Sequence, residues 1–168
     1  MRKRGLYGQT VTVYHPVPGK KRVDRFVLRD VFCQIGSREV SDAAGAKGGA
    51  AMLLVVPAVA VGTVDSEENI DGKAAARAAD AGKAAAAGGA QRELRYGADY
   101  RLASGDRVLL GEGPEVDWAA WPSFVPAEVD GLGAITYVLP LYLRGALHHV
   151  EAGAWWSSGG AGAGRLAR

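Results

Sequence analysis

Apolar and polar positions alternate clearly at the start of the chain. QTVTVYHP, residues 9–16, alternates threonine and valine within a run of β-branched and aromatic residues and stops at a proline, the pattern of a half-buried strand. VPGKK then supplies turn chemistry. RVDRFVLRDVFCQIG, residues 22–36, brings further strand formers at Val23, Phe26, Val27, Val31, Phe32 and Ile35. Together these segments predict a hairpin, or a strand leading into a long bent strand. Residues 37–51 lose the pattern among glycines and predict a loop. MLLVVPAVA, residues 52–60, is an apolar run of strand length, and Pro57 within it predicts an edge strand, a strand end or a bulge.

Residues 65–93 change character. Alanine, glycine and charge dominate, and Ile70 is the only large apolar side chain. Alanine favours helix, but a helix with nothing to bury is marginal. The segment reads as an insertion, either a mobile loop or an exposed helix. Order returns in ELRYGADYRLASGDRVLLGEG, residues 93–113, where SGD is a turn and RVLLGEG a short strand with Val108 and Leu110 on one face. Residues 114–133 are irregular, with room for one helical turn. AITYVLPLYLRGALHHVEAGAW, residues 134–155, is the strongest strand signal and predicts two strands bent or separated at LPLYLRG. SSGGAGAGRLAR has linker composition. Many short strands between glycine and proline turns predict an all-β fold, a small barrel or sandwich with long loops and an Ala/Gly-rich insertion. The expected organisation is one domain over residues 1–156 and a flexible tail over 157–168.

Composition adjusts this picture. Of the 168 residues 48% are hydrophobic, but much of that is low-complexity alanine and only 8% are aromatic, so the core should be small for the length. A net charge of +2 gives no strong global field. The early chain is nevertheless basic, with Arg2, Lys3, Arg4, Lys20, Lys21, Arg22, Arg25 and Arg29 opposed by Asp24. That pattern is a solvated arm and turn, or an arm that docks on an acidic protein surface or on nucleic acid. The single cysteine, Cys33, excludes an internal disulfide or a CxxC zinc pattern, and reads as a small buried strand residue. MRKRG is followed by polar YGQT rather than an apolar stretch, and the run AAMLLVVPAVAVG is too short to span a bilayer. The expectation is a soluble intracellular product without a membrane partner.

Candidate chemistry is sparse. His148, His149 and Glu151 cluster in GALHHVEAG. Neighbouring residues of a regular strand point to opposite faces, so the two histidines should not share a metal. His149 and Glu151 share a face and would need a third ligand, for which His15 is the remaining histidine. GEG lacks the spacing of a phosphate cradle, DSEENID lacks the spacing of a calcium loop, and no nucleophile motif is present. The reading is a non-enzyme with no cofactor or metal. Trp118 and Trp121 lie three apart in the irregular segment, while Trp155 and Trp156 are adjacent at a strand end. Both of the latter pair cannot easily enter a small core, so one is a candidate for contact with a partner subunit.

The order of the segments resembles the small neck proteins of long-tailed bacteriophages and prophage-like particles, of the head-closure or stopper type. The matching residues are Thr12–Val13–Tyr14, Leu28 to Phe32, Val56–Pro57, Leu102 to Gly111, and His148 or His149. They cover residues 9–64 and 96–152 but neither the insertion nor the tail. The resemblance implies a β-barrel that assembles into a homo-oligomeric ring of about six or about twelve copies. Such a ring would sit at the head–tail junction of the virion after assembly in the host cytoplasm. It would contact portal, adaptor and tail proteins, and packaged DNA in its channel. Arg2, Lys3, Arg4, Trp155 and Trp156 are the candidate assembly contacts, with the 65–93 insertion beside them. Alternatives are a tail terminator, a capsid-decoration protein, or a nucleic-acid-binding barrel of OB type, which would need exposed aromatics on a basic sheet face.

Overall fold

The computed structural model describes residues 8–42, 45–65 and 91–157. Eight strands run in the order β1 (Gln9–Val17), β2 (Arg22–Asp42), β3 (Gly45–Pro57), β4 (Val59–Asp65), β5 (Arg92–Arg95), β6 (Arg107–Leu110), β7 (Leu132–Leu143) and β8 (Ala146–Ser157). Every pairing between them is antiparallel. The hydrogen-bonded order β1-β6-β7-β8-β3-β2 closes on itself because β1 also pairs β2, giving a six-stranded barrel. Strands β4 and β5 extend the sheet beyond β2. Of the barrel and sandwich alternatives, the closed barrel is the one formed.

The first hairpin forms where the pattern predicts it. Val13 opposes Phe26 and Tyr14 opposes Arg25 across the β1–β2 ladder. The turn is a short 3-10 segment, Pro18–Lys20, after which Lys21 takes φ 47° and its N–H donates to the Pro18 carbonyl at 3.1 Å. Proline opening and a left-handed residue closing a tight turn is the expected division of labour. β2 is long and bent: Asp30, at φ 55°, sits where its register with β1 shifts. One edge of β2 pairs β4 at Arg25–Arg29 and β3 at Phe32–Asp42. β3 and β4 form an interrupted strand whose break is Pro57–Ala58, so Pro57 ends a strand.

The loop expected at residues 37–51 is not there. Instead β2 and β3 stay paired from Phe32↔Val55 out to Asp42↔Gly45. Side-chain pattern is a weak guide here, because the ladder is built from backbone groups that a neighbouring, already registered pair simply continues. The 65–93 insertion lies mostly outside the described residues. Its two ends are neighbours: β4 and β5 pair through Val59↔Arg95 and Gly62↔Arg92, so the insertion is the connection of a hairpin.

Inward side chains from all six barrel strands make the main core, among them Val11, Val13, Phe26, Leu28, Leu54, Val56, Val108, Ile135, Val150 and Ala152, with Leu94 and Tyr100 closing one side. Cys33 is buried in it, and desolvation pushes its thiol up to about 11. Val108 is fully buried, whereas Leu110 at the strand end is 44% exposed. A second, smaller cluster gathers Tyr14, Phe124 and Leu132 with Trp121, Val116 and Val129 on the other face of β1. It is the packed underside of the irregular 114–133 segment. Arg107 pins that segment, its guanidinium 3.7 Å above the Trp121 ring and donating to the Trp121 and Phe124 carbonyls. Trp121 is therefore a packing residue, and Trp118 lies half-buried nearby in sequence.

Gly62 is buried in β4 where a Cβ would collide with the Val27 carbonyl, a backbone atom of the paired strand. Neither can yield without breaking the ladder. We expect Gly62→Ala to destabilise the protein by about 3 kcal/mol, read as a lower urea midpoint at unchanged slope. Gly153→Ala, whose obstacle is the exposed Tyr137 ring, should cost no more than about 1 kcal/mol.

Candidate functional site: the outward face of β7 and β8

Val150, Ala152 and Ala154 of β8 point into the core. Strand alternation therefore sends His149, Glu151, Gly153 and Trp155 outward. Register carries the same face across β7, where Tyr137 opposes Gly153, Leu139 opposes Glu151 and Leu141 opposes His149. On the other side it continues into β3, where Leu53 opposes Gly153 and Val55 opposes Glu151. This outer face of the barrel is thus lined by apolar side chains. Tyr137 and Leu139 are 51% and 48% exposed and Leu143 at the hairpin end reaches 58%, whereas Tyr142, 68% exposed, opposes the core-packed Leu147 on the other side of the hairpin. Contiguous exposure of this kind marks interaction surfaces, whereas scattered single residues do not.

Two irregularities in the β7–β8 ladder shape the face. The first lies between Ile135 and Tyr137. The extra residue, Thr136, donates its hydroxyl to the Gly153 carbonyl at 3.1 Å. Without it, Tyr137 would follow Ile135 inward. With it, Ile135 is buried and the Tyr137 ring lies outward over Gly153. The second lies between Leu141 and Tyr142, where His148 is the extra residue of β8. Its carbonyl leaves the β7 ladder and accepts the Ala58 N–H at 3.1 Å.

That second bulge corrects the expectation that His148 and His149 face apart. Their Nδ1 atoms are 2.8 Å apart with the rings edge to face. A bulge breaks the strict alternation on which the expectation rested. His149 Nε2 in turn lies 3.4 Å from Glu151 Oε1. The three groups form a chain of contacts in which the His149 ring is used on both sides, not a set of donors converging on one point. Among the described residues no three His, Cys, Asp or Glu side chains are placed to hold a metal.

Of the expected assembly contacts, Trp155 is on this face, half-buried between Ala51 and Ala134 of the adjacent strands. The side chain of Trp156 and residues Arg2, Lys3 and Arg4 lie outside the described residues. Tyr137, Leu139, Tyr142 and Leu143 were not anticipated. Their signal is the unbroken run YVLPLYL, which has no polar alternate positions to face water.

His15 lies elsewhere, at the far end of β1. Its Nδ1 is 2.7 Å from Oδ1 of Asp106, a fully buried carboxylate whose Oδ2 accepts the Ala103 N–H at 2.8 Å. Asp24 opposes His15 across the β1–β2 ladder and lies 2.8 Å from Arg22. The hydrogen bond to Asp106 raises the His15 pKa, against desolvation and with the Asp106 and Asp24 charges adding to it. The imidazolium so stabilised ties β1 to the turn before β6.

Because the folded pKa is raised, the contribution of His15 to stability is complete below its unfolded value of about 6.5 and is lost as pH rises through the folded value. The urea midpoint of the wild type should therefore fall, relative to that of His15→Gln, as pH rises above about 6.5. A difference between the two proteins that stays constant with pH would contradict this assignment.

No helix among the described residues is long and apolar enough to cross a membrane. Comparison with protein-family models, with curated proteins and with solved structures finds no match to the chain.

Proposed function

We propose that the chain is a structural protein of the neck of a long-tailed bacteriophage or prophage-like particle. In this reading it joins other copies in a ring that closes the portal channel and offers the tail a platform. The role is mechanical rather than catalytic. The observation that carries the reading is the closed barrel with a stiff, apolar outward face. A ring subunit needs a body that does not deform and a surface that gains by being covered.

The segments that carry the resemblance also take barrel positions. Thr12, Val13 and Tyr14 lie on β1, Leu28 to Phe32 on β2, and Val56–Pro57 at the end of β3. Leu102 to Gly111 runs through β6, and the histidines lie on β8. The nucleic-acid alternative fits the surface less well. The outward aromatics Tyr137 and Trp155 share their face with Leu139, Leu53 and the carboxylate Glu151 rather than with basic side chains of the neighbouring register positions.

Imaging of assembled particles, or of the protein mixed with candidate portal–adaptor rings, tests the reading. The expected result is ring density of this chain at the head–tail junction. Density on the capsid shell or along the tail would overturn the neck placement. Salt-sensitive binding of the isolated protein to DNA, with no incorporation into particles, would favour the nucleic-acid barrel.

A further inference from the structure

We propose that the outward face of β7 and β8, with the hairpin tip beyond it, docks a second copy of this chain. Arg144 of one copy lies against Glu151 of the other. The inference deepens the ring reading and rests on it for the kind of closure, not for the surface.

Area is the first argument. Tyr137, Leu139 and Leu143 are each about half exposed or more. Together they leave on the order of 300 Å² of largely apolar surface in water, about a third of one partner's share of a standard interface. Leu53, Trp155 and the imidazoles of His148 and His149 extend the patch across β3 and β8.

Stiffness is the second. Leu143 pairs with Ala146 around a two-residue turn in which Arg144 and Gly145 take φ 52° and 81°. Both residues in the left-handed region match the twist of a hairpin and hold its tip rigidly. Leu143 is therefore presented by strand, not by a loose loop, and little ordering entropy is lost on contact. An arginine, moreover, is a poor occupant of the left-handed region, where asparagine or glycine is cheaper by about 1 kcal/mol.

Charge fixes the occupant as the chain itself. Arg144 is exposed at the tip and has no ion pair among the described residues. Glu151 has a side chain 34% exposed, and its one ion pair is the 3.4 Å contact with His149. The two opposite charges stand on the same surface, yet on the order of 20 Å of strand separates them, too far for an arginine to cross within one copy. Two copies laid face to face, or tip to face around a ring, bring them together and cover the apolar stripe between them.

Sedimentation velocity of the full chain over rising concentration tests this, with circular dichroism and thermal midpoints to confirm that each variant folds. The expected result is self-association of the wild type that Leu139→Arg and Leu143→Asp abolish, both changes being at exposed positions. Arg144→Glu and Glu151→Arg should each weaken association about tenfold, and the double variant should recover most of that loss. A wild type that stays monomeric to its solubility limit overturns the proposal. So does association that Leu139→Arg leaves unchanged. A monomer whose joining to particles is blocked by Leu143→Asp also overturns it, and assigns the face to another protein. A closed two-fold dimer upholds the interface and overturns the ring. Association through this face without neck density upholds the interface and overturns the neck reading.

Discussion

Strand β1 is hydrogen-bonded along both edges, to β2 on one side and β6 on the other, and the barrel exists because of that double pairing. Remove either ladder and the sheet opens, exposing two edges that would each offer unpaired backbone groups to another chain. The second ladder is short and is supported from outside. Thr12 is fully buried and faces away from the core residues Val11 and Val13. Its hydroxyl donates to the Gly111 carbonyl and accepts the Gly113 N–H, each at 2.8 Å. Arg25 reaches from β2 to the Gly113 carbonyl at 2.7 Å. A Cβ at Gly113 would collide with the Tyr14 hydroxyl and the Leu109 side chain. The segment after β6 is thus fastened to both members of the first hairpin at a point where only glycine fits.

Closure shelters only part of the outer face of β7 and β8. In an open sheet, a stripe of leucine and tyrosine beside a free edge invites uncontrolled pairing of strands. Along the stripe β8 is paired on both sides, to β7 and β3, whereas β7 pairs β6 only through Leu132–Ala134 and beyond them pairs β8 alone. The outer edge of β5 exposes Arg92, Glu93 and Arg95, and charge there opposes the same kind of pairing.

Much of the barrel is legible in the sequence where alternation is clean. The β1–β2 hairpin, the strand end at Pro57 and the buried Cys33 all follow from strand composition and turn chemistry. The β1–β6 ladder is not legible, because Val13 and Val108 carry no local mark of each other. The extension of β2 and β3 through residues 37–51 is hidden because backbone pairing, not side-chain preference, sustains it. The candidate face is half legible. An apolar run such as YVLPLYL reads alike whether both sides are buried or one is exposed, and burial is decided by neighbours distant in sequence. The paired histidines mislead for a sharper reason: alternation assigns them opposite faces, and a single inserted residue cancels it.

The two bulges in the β7–β8 ladder do opposite jobs for the same surface. At Thr136 the extra residue lies on β7 and turns Tyr137 outward, so the face gains an aromatic ring that strict alternation would have buried. At His148 the extra residue lies on β8, and the register is restored before the tip closes with Leu143 opposite Ala146. One added residue on each strand leaves the pair equal in length, which a two-residue turn requires. Between the bulges, Leu139 and Leu141 keep regular alternation and stay outward. A deletion at either bulge alone would send every residue between it and the tip to the other face of the hairpin. The apolar stripe and the rigid tip are therefore set by one compensated pair of irregularities, and neither survives the loss of a single member.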